Sequence, residues 1–247
     1  GYVPTMGALH AGHLSLIEQS MKECDITIVS IFINPAQFSI DEDLNTYPSD
    51  IDIDKKLLLS HNVDIVFIPR KDTIYTDDFS TYITENQIST INEGQSRPLF
   101  FRGVLTIVSK LFNIIQPTHA FFGMKDAQQL AVVEKMVNNL NYNINIVRCP
   151  TIREENGLAM SSRNQYLTNK QKTEAAVIYK SLLNAVAAID SGEKSVKKIV
   201  DIIEECLNYK EIKIDYISLV NQSSFNEIEK VNGDVIILIA VFFNNVR

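Results

Sequence analysis

Apolar residues along the chain follow two alternating periods. Residues 26–33 (ITIVSIFI), 63–69 (VDIVFIP), 119–123 (HAFFG) and 144–150 (INIVRCP) are short runs rich in Val, Ile and Phe that end near Pro, Gly or Asn. Such runs predict strands buried on both faces of a parallel sheet. Gly1 opens directly into another strand-like run. Between the runs, residues 10–23, 50–60, 102–115 and 126–140 repeat apolar positions at three- and four-residue spacing, which predicts helices with one buried face. The alternation predicts an α/β fold, a Rossmann-like doubly wound parallel sheet.

The pattern changes after Pro150. Two helical stretches follow, 169–189 and 195–209, separated by a Ser-Gly-Glu-Lys turn. Two apolar strands, 212–220 and 234–243, are then joined through a polar segment containing Asn232-Gly233. This predicts a second, smaller α+β domain, with residues 1–151 forming the first domain and 152–247 the second, which is expected to close over the first domain's ligand site. No internal repeat or low-complexity tract interrupts the chain. The acidic run at residues 41–54 reads as a solvated loop followed by a helix start.

Composition narrows the function classes. A chain of 247 residues, 45% apolar and 21% charged, can bury a substantial core. Its net charge of −7 excludes a broad phosphate-backbone surface, so no nucleic-acid partner is expected. Cys24, Cys149 and Cys206 are odd in number and lack metal-ligand spacing, as expected of ordinary buried thiols in a reducing compartment. No apolar run is long enough for a bilayer and nothing resembles a signal peptide, so a cytoplasmic protein without a membrane partner is expected. The start at Gly1 and the abrupt end VFFNNVR suggest a missing upstream segment and a clipped end.

Four polar segments fall at strand ends, where ligands bind in open α/β sheets. In Met6–Gly7–Ala–Leu–His10–Ala–Gly12–His13, the imidazoles lie three apart at a predicted helix start, and Gly12 permits close backbone approach. A phosphate site fits this arrangement; a surface pair of histidines, or a zinc pair lacking a third ligand, are the alternatives. Asn34-Pro35-Ala36-Gln37 ends a strand, and the Gln37 amide either orients a carboxylate or hydroxyl, or faces water in a turn. Gly123-Met124-Lys125-Asp126 places a phosphate-type cation beside an expected N-cap, Asp126, with Gln129 at the capping-box position. Met160-Ser161-Ser162-Arg163 offers many donors and no competing base, as an anion clamp or a polar linker would.

In this order and spacing, PTMGALHAGH, FINPAQF, GMKDAQQL and MSSRNQYL resemble the pantothenate synthetase family, also called pantoate:beta-alanine ligases. The likeness spans essentially the whole chain, including SRPLFFRGVLTIVSKLFN and YPSDIDID between the motifs. The His-x-Gly-His element alone is less specific, since class I aminoacyl-tRNA synthetases and small nucleotidylyltransferases share it. The resemblance implies condensation of (R)-pantoate with beta-alanine by Mg-ATP through a pantoyl-adenylate, in a homodimer. It further implies that Met6, Gly7, His10, Gly12, His13, Gly123, Lys125, Asp126, Ile152, Met160, Ser161, Ser162 and Arg163 line the ATP site. His13 matches the proton donor; His10, Lys125 and Arg163 join it as catalytic groups. Gln37 and Gln129 match the pantoate-binding glutamines, Gln37 also lying near beta-alanine, and Asn34 and Arg97 match further site positions.

The chain departs from the family pattern at Phe100, commonly histidine, at Met124, commonly glutamate, and at Ile53-Asp54, where some members carry two adjacent acids. No protein ligand for Mg²⁺ is therefore assigned, and the ion is expected to be held through the ATP phosphates. Two other classes share the His-x-Gly-His helix or the fold. A nucleotidylyltransferase would release a stable nucleotide-linked product, and a non-catalytic nucleotide-binding module would make no AMP.

Overall fold

A computed structural model of the chain describes residues 1–40, 42–208 and 211–247. They divide into two compact units, Gly1–Ile152 and Arg153–Arg247. The first contains, in order, β1 (Tyr2–Thr5), α1 (Ala11–Glu23), β2 (Ile28–Ile31), α2 (Ile51–Ser60), β3 (Ile65–Phe67), α3 (Lys71–Ile74), α4 (Glu93–Ser96), α5 (Phe100–Ile115), β4 (His119–Gly123), α6 (Ala127–Asn139) and β5 (Asn145–Cys149). Its strands form a parallel sheet in the order β3-β2-β1-β4-β5.

That order places the sheet's switch point between β1 and β4. β1 pairs with β2 at all four of its positions, from Tyr2 opposite Ile28 to Thr5 opposite Ile31. With β4 it pairs only at Tyr2, opposite Ala120. The carboxyl ends of β1 and β4 thus lie beyond their shared ladder, and the crevice of a doubly wound sheet opens there.

Strand alternation divides the core between the two sheet faces. Tyr2, Ala120 and Phe122 join one cluster with Val104, Leu105 and Val108 of α5 and Leu130 and Val133 of α6. Val3, Val29 and Phe121 join the other with Leu16 and Ile17 of α1 and Leu58 of α2. Burial on both faces explains why β2 and β4 read as continuous apolar runs, whereas the edge strands β3 and β5, expected to be buried likewise, are only partly covered.

One glycine in α5 sets a distance that the crevice depends on. A Cβ on Gly103 would stand 2.2 Å from the carbonyl oxygen of Ala36. Its absence lets α5 lie directly against the 3₁₀ turn Pro35–Gln37 that follows β2.

The second unit contains a 3₁₀ turn, Ser162–Tyr166, then α7 (Asn169–Ala175), α8 (Val177–Asp190), α9 (Val196–Cys206), β6 (Ile212–Asn221) and β7 (Val235–Phe243). β6 and β7 form an antiparallel hairpin whose side chains pack with Ala185 of α8 and Ile199 and Ile203 of α9.

Expected and observed elements differ chiefly at their ends. β2, β3 and β5 are shorter than their apolar runs because the flanking residues lie outside the ladders. The stretch 169–189 is two helices meeting at Ala176. The helix expected over 195–209 ends at Cys206, and Tyr209, like Asp41 of the acidic run, lies outside the described residues. α3 and α4, four residues each, are too short to show a period. Among the described residues no helix is long and apolar enough to cross a membrane.

Gly103→Ala should lower stability by about 1–3 kcal/mol, the usual cost of overpacking, because backbone rather than a flexible side chain blocks the methyl. Urea unfolding of the two proteins, compared at equal slope, measures it; equal midpoints would contradict the close approach.

Candidate active site

Between β1 and α1 the backbone must reverse direction within a few residues. Gly7 adopts φ 83° and Ala8 φ 50°, both in the left-handed region. Ala8 lacks glycine's freedom there, so the turn needs outside support. Asp54 of α2, 3% exposed, supplies it. Its Oδ2 accepts from the Ala8 amide and its Oδ1 from the Leu9 amide, each at 2.9 Å. A Cβ on Gly7 would stand 2.8 Å from the same Oδ2. Thr5 Oγ1 completes the frame, accepting from the Gly7 amide at 3.3 Å while donating to the Ser30 carbonyl at 2.7 Å.

The turn delivers His10 as the N-cap of α1 and His13 as its third residue. His10 was expected within the first helical turn; it stands just outside, because its extended backbone (φ −142°) and side chain cap the helix. The two rings form a capping box. His10 Nδ1 accepts from the Gly12 amide at 3.1 Å, and His13 Nδ1 accepts from the His10 amide at 3.3 Å. The ring centroids are 4.1 Å apart. With both Nδ1 atoms accepting, each neutral ring carries its proton on Nε2.

Electrostatics favours that neutral form. Burial, then His10 and Lys125, push the His13 pKa down to about 3. Burial and Lys125 lower that of His10, with Asp126 opposing. The imidazoles therefore supply neutral N–H donors, and Lys125 is the cation beside them. Lys125 and Asp126 lie in a 3₁₀ turn, Met124–Asp126, that follows β4 across the switch point, with Lys125 Nζ 3.1 Å from Asp126 Oδ1. The cap expected of Asp126 does not form, since its carboxylate turns to this lysine and makes no side-chain bond to the helix start. Nothing lies within 4 Å of where a Gly123 Cβ would stand.

Gln37 approaches from the loop after β2. It is buried, and its Nε2 lies 3.1 Å from Met6 Sδ, which brings the β2 loop onto the β1 loop. Asn34 caps the same turn and is 1% exposed. Gln129 is partly buried and has no side-chain partner among the described residues, so no capping box forms with it. Its neighbour Gln128 is the anchored glutamine, donating to the Ile88 and Ile91 carbonyls and accepting from the Glu93 amide.

Arg97 already has anionic partners. Its guanidinium binds Glu42 through both carboxylate oxygens and Glu93 at 3.1 Å, and donates to the Gln37 carbonyl at 3.2 Å. Phe100, one of the departures from the family pattern, lies under it at 3.9 Å from the ring centroid. In the second unit, Ser161 caps the turn Ser162–Tyr166, its Oγ accepting from the Arg163 amide at 3.3 Å, and Ser162 is buried.

No group of three or more His, Cys, Asp or Glu side chains that could hold a metal occurs among the described residues, which removes the support for a zinc pair. Sequence reasoning named Asp54 only within a departure from the family pattern, not as the support of this turn, and it passed over Gln128. Asp54 had a readable signal: it lies four residues before Leu58 on the buried face of α2, where a lone carboxylate needs a partner.

The pantoate-beta-alanine ligase family model matches residues 1–247. Pantothenate synthetase of Thermosipho africanus is 49% identical over 247 residues, covering all of this chain and 89% of that protein. Pantothenate synthetase of Caldicellulosiruptor saccharolyticus is 50% identical over 248 residues, covering all of this chain and 88% of that protein. The crystal structure of pantothenate synthetase from Thermus thermophilus superposes with a TM-score of 0.95 at 38% identity, over 98% of this chain and 88% of that one. Pantoate-beta-alanine ligase from Francisella tularensis, complexed with beta-gamma ATP and beta-alanine, gives a TM-score of 0.81 at 36% identity, over all of this chain and 86% of that one.

The His13 ring should remain neutral at pH 5 and titrate only near its lowered pKa of about 3, a behaviour that imidazole NMR signals assigned with His13→Gln would show. Because the folded pKa lies below the unfolded one, this group's contribution to stability is present above pH ~6.5 and is lost as pH falls toward 3. A His13 midpoint near 6.5 would contradict the buried capping geometry.

Proposed function

The chain belongs to the pantoate-beta-alanine ligase family, and on that premise we propose that it joins (R)-pantoate to beta-alanine in two steps, through a pantoyl-adenylate. The observation that carries the reading is the contact between Gln37 and Met6, which sets the amide of one loop against the segment that leads from β1 into the His10–His13 turn. A carboxylate oriented by Gln37 then lies beside a nucleotide held by that turn.

In the first step a pantoate carboxylate oxygen attacks the α-phosphorus of ATP, and the bond to pyrophosphate breaks. Negative charge meets negative charge, so the site must offer donors to the phosphates. His10 and His13 present Nε2–H groups that hydrogen-bond the phosphate oxygens, and Lys125 presents the cation; the proton-donor role implied for His13 becomes hydrogen-bond donation, because burial keeps its ring neutral. Pantoate is held by the neutral amides of Gln37 and Gln129, because a strong cation on its carboxylate would blunt the nucleophile. In the second step the beta-alanine amine attacks the acyl carbon, the bond to AMP breaks, and AMP leaves with the pair of electrons.

The remaining assignments rest on the family resemblance. Met6, Gly7, Gly12, Gly123, Asp126, Ile152, Met160, Ser161, Ser162 and Arg163 contact ATP, and Asn34 and Arg97 belong to the pantoate side. Mg²⁺ fits the donor set as an ion carried on the triphosphate. Both Asp54 oxygens are occupied by backbone amides and Asp126 is paired with Lys125, so phosphates and water remain as ligands. When bound it neutralises phosphate charge. A homodimer in the cytoplasm completes the proposal.

The test is AMP formation with pantoate, beta-alanine and ATP, omitting each in turn. The ligase requires all three; AMP made without pantoate, or a stable nucleotide-linked product, would contradict it. In pantoate-dependent exchange of labelled pyrophosphate into ATP, His13→Ala and Lys125→Ala should each lose ~10²–10³ in rate, the usual effect of removing one preorganised donor. Near-normal exchange in both would remove them from the chemistry.

A further inference from the structure

Asn34 has all of its hydrogen-bonding capacity engaged inside the protein. Its Nδ2 donates to the Gly103 carbonyl at 3.1 Å and to Gln37 Oε1 at 3.0 Å. Its Oδ1 accepts from the Ala36 amide at 3.3 Å and from the Tyr75 hydroxyl at 2.7 Å. These partners fix which way the amide points. The Gly103 carbonyl can only accept and the Ala36 amide can only donate, so a flipped Asn34 would set N–H against N–H and oxygen against oxygen. Gln37 Oε1 must then face the Asn34 donor, and the NH₂ group of Gln37 is turned toward Met6.

We propose that Tyr75 is a positioning residue that holds this relay, from its hydroxyl through Asn34 to Gln37, so that Gln37 meets the substrate as a hydrogen-bond donor. Tyr75 follows α3, forty-one residues from Asn34, and its ring packs against Phe32 and Phe79. Burial holds its hydroxyl above the ordinary phenol range, which keeps it a protonated donor. A donor at Gln37 suits an anionic oxygen, which can only accept. Without the Tyr75 hydroxyl, Asn34 Oδ1 keeps only the long bond from Ala36, and the orientation of the Gln37 amide loosens. The inference rests on the assignment of Gln37 to pantoate made above.

The experiment is a double-mutant cycle on pantoate-dependent pyrophosphate exchange, with KM for pantoate and for ATP measured in the parent, Tyr75→Phe, Gln37→Ala and the double variant. Tyr75→Phe keeps the ring and its packing and should raise KM for pantoate roughly three- to tenfold, the effect of one net hydrogen bond. KM for ATP and the thermal midpoint should stay close to the parent's. In the Gln37→Ala background Tyr75→Phe should have little further effect, because the relay has lost its end point. Equal effects in both backgrounds, equal weakening of pantoate and ATP, or a parent-like Tyr75→Phe beside an impaired Gln37→Ala would each overturn the relay. A Gln37→Ala variant with unchanged KM for pantoate would instead overturn the assignment of Gln37, and the relay's function with it.

Discussion

The site depends on one buried carboxylate. Asp54 reaches from α2 to the amides of Ala8 and Leu9 and holds the turn after β1 in a conformation that Ala8 alone would disfavour. Bonds from amides to an ionised carboxylate are stronger than neutral ones, and here they replace the solvation that Asp54 loses on burial. The turn in turn fixes where α1 begins, and the start of α1 fixes both imidazoles. The sheet adds the complementary constraint, since β1 and β4 share a ladder only at Tyr2, and the crevice beside the turn stays open.

From that constraint the character of the site follows. Histidines used as helix caps give up Nδ1 to backbone amides, and burial keeps them uncharged. In the proposed reaction the nucleotide would therefore meet directed N–H groups, with Lys125 as the nearby cation. The glutamines proposed to hold pantoate, Gln37 and Gln129, are neutral, and Arg97, which donates to the Gln37 carbonyl, is occupied by Glu42 and Glu93. In the proposed reaction such a separation of cation from nucleophile would let phosphates be neutralised while a carboxylate keeps its reactivity.

Much of this was legible in the sequence wherever the signal was local. The strand over residues 119–123 matches its apolar run, and α1, α2 and α6 begin within one residue of their expected starts, because burial on a regular period leaves a pattern. The capping histidines could be placed near a helix start but not recognised as caps, since a Ser or Asp in that position is the usual signal. Asp126 carried that usual signal and does not cap, because the adjacent ammonium group competes for its carboxylate. What stayed hidden was set by contacts distant in sequence. Tyr75 meets Asn34 across forty-one residues and Asp54 meets Ala8 across forty-six, and no spacing rule links such pairs. Gly103 reads as a glycine within a helix, and only the approach of Ala36 gives it a reason.

Titration of ATP into the parent and Asp54→Asn proteins tests the dependence of the site on that carboxylate most directly. An asparagine keeps the shape but sets an NH₂ group against one of the two backbone amides, a mismatch costing about 1–3 kcal/mol. If the turn is held as described, ATP affinity falls about tenfold or more while the far-ultraviolet circular dichroism of the folded chain is retained. Unchanged ATP affinity in a folded Asp54→Asn protein would contradict the account.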